Sequence, residues 1–162
     1  MEAIEIVGVR TRLADPKAAL ADLQAFARSR GGWAQILDAD HVVGRDHLVS
    51  AYEHARRAME TSTNTTDSLE MELLLHASGE RQIAKAIEVA GAKPSKPFVV
   101  VVVAIDAADV LRRFGWMRDD SVMKASIEKL RAIGFTASEI EAAGPSALDL
   151  GLERVARVAL RK

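Results

Sequence analysis

Between Pro97 and Asp106 the chain reads Phe98-Val-Val-Val-Val-Val-Ala-Ile105. Nothing polar interrupts this β-branched run and nothing in it alternates. A strand of that kind must be covered on both faces, so it reads as the centre of a sheet. Two further stretches suit strands: Ile4–Val9, which alternates loosely, and Trp33–Leu37. The remaining periodic segments are helical, and strands and helices do not alternate regularly. The expected fold is therefore α+β: a single domain over residues 1–162, mostly helical, packed around a small β-sheet.

A chain of 162 residues is long enough to bury a core, roughly 70% of the unfolded surface. Charged residues at 28% and apolar residues at 49% exclude large-scale disorder. The net charge of −1 sets up no global field toward nucleic acid or a membrane, so any such binding needs a local patch. Cysteine is absent, which removes disulfides, thiol catalysis and thiolate metal sites together and fits a cytoplasmic protein. Met1-Glu-Ala-Ile-Glu lacks the basic-then-apolar pattern of a secretion signal. The longest apolar run is too short to cross a bilayer.

The helices carry their own punctuation. Asp15-Pro16 supplies an N-cap and a first-turn proline, and Leu20, Leu23, Phe26 and Ala27 form an apolar face before Gly31-Gly32. After the polar turn Asp38-Ala-Asp40-His41, a helix from Arg45 to Glu60 bears the stripe Leu48, Tyr52, Ala55 and Met59. Thr61–Thr66 reads as a flexible loop, and Lys93-Pro-Ser-Lys-Pro97 as a break. Asp106 and Asp109 open a short helix that ends at Gly115. Asp119 or Asp120 is expected to cap another, with Val122, Met123, Ile127 and Leu130 inward and Gly134 past its end. Thr136-Ala-Ser-Glu139 is a capping box whose helix stops at Gly144-Pro145. A last helix would place Leu148, Leu152, Val155 and Ala159 on one side and Arg154, Arg157, Arg161 and Lys162 on the other.

Ser68–Gly91 reads as two helices joined through a tight break at Ser78-Gly79, with Asp67 as N-cap of the first and Gly91 past the end of the second. Leu69, Leu73 and Leu74 recur at helical spacing, as do Ile83, Ala86, Ile87 and Ala90. Gly79 allows the backbone to turn. The turn gathers Ser78, Glu80, Arg81 and Gln82 beside a new helix N-terminus, where N–H groups and Arg81 would suit a phosphate or carboxylate. A solvated first turn explains the same pattern without a ligand.

Catalytic sets are missing. There is no Walker-type loop and no G-x-S-x-G elbow. His47 and His54 stand two helical turns apart, about 10 Å along the axis, too far to share one small ion. His76 and Ser78 point to different faces of a helix. Asp38, Asp40, His41 and His47 could support a metal-assisted hydrolysis, but a solvated turn accounts for the acidic pair. The expectation is a binding protein, not an enzyme, with no cofactor and no metal. A homodimer built on one of the apolar helices is a third reading.

His76-Ala-Ser-Gly-Glu-Arg-Gln-Ile83, then Ala86-Ile87 and Gly91, resembles the signature of the kinase-binding small subunit of the KEOPS complex, the PRPK-binding protein family. The likeness continues in Gln35-Ile-Leu-Asp-Ala-Asp40, in His47 with Ala51 and Ala55, and in Glu153-Arg-Val-Ala156. It implies the same fold class and two tasks. One is to dock on the PRPK-type kinase and promote its ATPase. The other is to hold the single-stranded 3′ CCA end of tRNA while another subunit makes threonylcarbamoyladenosine. Residues suited to the RNA are Ser78, Gly79, Arg81, Gln82 and Lys85, with Lys93 and Lys96 extending the track. Kinase-contact candidates are Leu48, Tyr52, Met59, Leu152 and Val155, each equally explained by core packing. The Thr61–Thr66 loop holds no basic residue, so an RNA contact there would use hydroxyls or backbone.

Overall fold

In the computed structural model, which describes residues 3–150, 152 and 153, the valine run is the middle of a three-stranded sheet of order β1-β3-β2. β1 is Ile4–Val9, β2 Trp33–Asp38 and β3 Phe98–Val103. Both outer strands run antiparallel to β3, in register from Ile4↔Val103 to Val9↔Phe98 and from Trp33↔Val103 to Asp38↔Phe98. All six residues of β3 are buried, as an unalternating strand requires. The strand stops at Val103 because Ala104 takes a positive φ of 65°.

The helices are α1 (Pro16–Ser29), α2 (Arg45–Glu60), α3 (Leu69–Ser78), α4 (Ile83–Ala90), α5 (Ala107–Phe114), α6 (Ile127–Ala132) and α7 (Ala137–Ala143). The fold is α+β. Caps written in the sequence are made: Asp15 accepts from Ala18 N–H, Asp106 from Ala108 N–H, and Thr136 and Glu139 close a capping box.

The chain divides into two compact units, each assembled from separated segments. One holds the chain up to Ala39 and Ala92–Met123; the other holds Asp40–Gly91 and the chain from Lys124. In the first, Val7, Val9, Ile36, Phe98, Val100 and Val102 form one sheet face, packed with Leu23 and Ala27 of α1, Val110 of α5, and Trp116. At the outer edge of β1, Asp119 N–H donates to Gly8 O at 2.8 Å and Gly8 N–H donates to Asp120 Oδ1 at 3.0 Å. A Cβ on Gly8 would lie 2.4 Å from Asp119 O, which only glycine avoids.

That tie corrects one expectation. Asp119 and Asp120 do not cap a helix running to Gly134. Asp120–Met123 is a single 3₁₀ turn held to β1, and α6 starts afresh with Ser126 as its N-cap. Ile127, expected inward, is 45% exposed, whereas Met123 and Leu130 are buried. In the second unit Val43, Leu130, Ile133, Phe135, Ala147 and Leu150 form a small core. Leu148 lies in a 3₁₀ stretch, Gly144–Asp149. Val155, Ala159, Arg154, Arg157, Arg161 and Lys162 fall outside the described residues.

Candidate functional site

The corner between α3 and α4 forms by local means. Ser68, not Asp67, caps α3, because its hydroxyl is the one that accepts from Met71 N–H. Gly79 closes the helix with φ 76°, a left-handed conformation in which its N–H reaches Leu75 O. The Ser78 hydroxyl donates to Leu75 O at 3.0 Å and accepts from Glu80 N–H at 3.1 Å, and its side chain is buried. The chain then enters α4 at Gln82, which makes no side-chain cap. Gly91 ends α4 in extended conformation, where a Cβ would lie 2.5 Å from Ile87 O.

Arg81, Gln82 and Lys85 are exposed. Lys85 lies 3.7 Å from Glu88, both largely solvated, so that pair adds little stability. The corner thus presents a guanidinium, an amide and an ammonium to solvent around a helix start. Lys93 and Lys96 belong to the other unit. Lys93 is half-buried 3.8 Å from the buried Asp38 carboxylate, and Lys96 is exposed.

The interior beside this corner is polar. Glu72 is fully buried and accepts from Thr65 N–H, Thr66 N–H and the Thr66 hydroxyl at 3.1–3.3 Å. Thr61–Thr66, expected to be a flexible loop, is therefore fastened to α3 by one carboxylate. The Thr61 hydroxyl also donates to Arg57 O, and Thr63 N–H to Ala58 O. His76, equally buried, sits 3.7 Å from Glu72, and its ring stacks on His54 of α2 at 5.9 Å. Burial holds the His54 imidazole below its usual range; Arg57 adds to that and Glu53 opposes it. His47 accepts at Nδ1 from Val43 N–H (3.0 Å), which leaves its hydrogen on Nε2 to donate to Ala77 O at 2.9 Å. It fixes the start of α2 to the end of α3, a capping role.

Only tertiary structure reveals that Glu72 and His76 are inside. The one signal for them in the sequence is an acid and a histidine four residues apart. Of the proposed kinase contacts, Leu48 and Tyr52 are buried in packing, which corrects their assignment to a docking face. Met59 and Leu152 are half-buried, and Val155 is outside the described residues. Leu152 lines a cavity of about 230 Å³ with Val43, Gly44, Arg45, Asp46, Ala125, Leu148 and Asp149. Among the described residues no group of three or more His, Asp or Glu side chains is arranged to hold a metal ion. No described helix is long and apolar enough to cross a membrane.

A small α+β fold with an exposed cationic corner and a grooved helix start defines a binding module. Residues 17–142 match the model of the family described as kinase binding protein CGI-121. The chain is 31% identical to the regulatory protein Cgi121 of Methanocaldococcus jannaschii over 128 residues, 79% of this chain and 84% of that one. The chain belongs to the CGI-121 family of kinase-binding proteins. The class of partner that defines the family is a kinase.

Proposed function

We propose that this chain is the noncatalytic, kinase-binding subunit of a cytoplasmic KEOPS complex. In that role it docks on the PRPK-type kinase, promotes its ATPase and holds the 3′ CCA end of tRNA for threonylcarbamoyladenosine synthesis. The observation that carries the RNA part is the exposure of Arg81 and Gln82 immediately before the first turn of α4, on a corner that Ser78 and Gly79 hold in place. A guanidinium beside helix-terminal amides attracts phosphate, and its plane accepts a base. The Ser78 hydroxyl is engaged within the turn, so its contribution is to shape the corner and that of Gly79 is close backbone approach. Lys85, on the same helix, adds charge at the corner, and Lys93 and Lys96 are further candidate contacts on the other unit.

Kinase docking is supported by the family and by the groove of Val43, Leu148 and Leu152, where apolar side chains reach solvent. Leu148 is 44% exposed there. Asp38 is buried beside Lys93, away from the role of an open acidic pair, which weighs against the hydrolase alternative. Leu48 and Tyr52 face inward, so α2 does not supply a homodimer face through them.

The test is filter binding of wild-type protein and Arg81→Glu to a tRNA transcript with and without its CCA end, at low salt. The expected result is binding that needs the CCA end and is lost in Arg81→Glu, with the unfolding temperature unchanged. Equal affinity of the two proteins refutes the assignment.

A further inference from the structure

The first unit carries a second cationic surface, unrelated in sequence to the corner. Four of the seven aromatic side chains of the protein form one cluster: Phe98 meets Trp116 edge-to-face at 5.0 Å, Trp116 stacks on Phe114 at 4.9 Å, and Phe114 meets Phe26 edge-to-face at 5.8 Å. Phe98 and Trp116 are buried, while Phe26 and Phe114 are half-exposed. A guanidinium covers each of those outer rings. Arg30 lies 4.6 Å from the Phe26 centroid and Arg113 lies 5.0 Å from the Phe114 centroid. Both arginines are exposed.

Helix dipoles explain why cations collect at the ends of α1 and α5. They do not explain why two of them lie over rings. A guanidinium resting on an aromatic face has little freedom left to lose on binding. Its plane takes a nucleobase, and its N–H edge donates to a phosphate. The last turns of both helices hold arginine and no carboxylate, and Asp109, one turn back, is paired with Arg112 at 2.9 Å. An acidic protein would need only the N–H edges, and the ring behind them would add nothing. The backing is useful to a flat, anionic ligand.

We infer that Phe26, Arg30, Arg113 and Phe114 form a stacking platform for single-stranded RNA. The inference rests on the RNA-binding reading above and adds a second contact, on the other unit. Chain distances put the two guanidiniums within about 15 Å of each other, a span that a short single strand covers.

The experiment is fluorescence anisotropy of the full chain with a labelled twelve-nucleotide oligoadenylate and with a tRNA transcript, across a salt series. Arg30→Ala/Arg113→Ala should bind the oligonucleotide about tenfold more weakly and show a shallower salt slope. Arg30→Lys/Arg113→Lys should keep the slope but lose most of that affinity, because lysine keeps the charge and not the plane. Lysine variants that bind like wild type overturn the platform and leave a plain electrostatic patch. Alanine variants that bind like wild type overturn it altogether, as does unchanged RNA affinity with lost kinase binding, which would make the surface a protein contact. Where Arg81→Glu alone abolishes tRNA binding and both double variants bind normally, this inference fails and the CCA reading stands. A wild-type chain that binds neither RNA defeats both.

Discussion

α3 and α4 adjoin in sequence and share one glycine corner, yet they are opposites. Eight of the ten residues of α3 are buried, among them Glu70, Glu72 and His76. Only Ala86 and Ala90 of α4 are buried, and Ile83 and Ile87 stand 40% and 49% exposed. Two carboxylates of α3 are inside, while two isoleucines of α4 are outside. Burial here follows the availability of partners more than hydropathy. A carboxylate is tolerated inside when three donors converge on it. An isoleucine pair left outside on a helix that small residues anchor marks a surface available to something else.

The sharpest way to break this contrast is Glu72→Ala. It strands the buried Thr66 N–H, takes the acceptor from the Thr65 N–H and frees the end of the Thr61–Thr66 loop. The expected loss is about 3 kcal/mol, seen as a fall of roughly 6–12 °C in the unfolding temperature. A fall of a degree would show that the loop is held by other means. Next comes Gly79→Ala, which forces an alanine into a left-handed turn at a cost of about 1–2 kcal/mol. Chemical denaturation should show it, with the slope unchanged. Ile87→Ser should shift stability by less than about 0.5 kcal/mol; a larger loss would mean that the residue packs after all.

The smallest effect is one of pH. The depressed His54 pKa means that the unfolded chain binds the proton more readily than the folded one. Its contribution is therefore present above about pH 6.5, the unfolded value, and is lost as pH falls below that. His54→Asn should flatten the acid side of the stability profile, measured by denaturation between pH 7 and 5. An unaltered profile would assign that limb to other groups.

Local signals were legible and tertiary ones were not. The valine strand, the Arg45–Glu60 helix, the Thr136 box and the Ser78-Gly79 break all follow from periodicity and turn chemistry within a few residues. Asp67 and Ser68 are adjacent cap residues of equal merit, and only the hydroxyl geometry decides between them. The reading at Asp119 failed because its partner, Gly8, lies over a hundred residues away. Ile83 and Ile87 matched a core pattern, and nothing in the spacing tells an anchored face from an open one. At the candidate site, Arg81 and Gln82 were identifiable from the turn itself. The Arg30–Phe26 and Arg113–Phe114 pairs were not, since nothing in either segment announces the other.

The sheet has a consequence for how the chain is made. β1 and β2 are not neighbours in the sheet; β3 lies between them and is the strand that each pairs with. During synthesis both wait for a strand that emerges about 65 residues after β2, several seconds at about 5–20 residues per second. Until that keystone arrives, two apolar ribbons hang without a mate, and the nascent protein is open to any chaperone that recognises them.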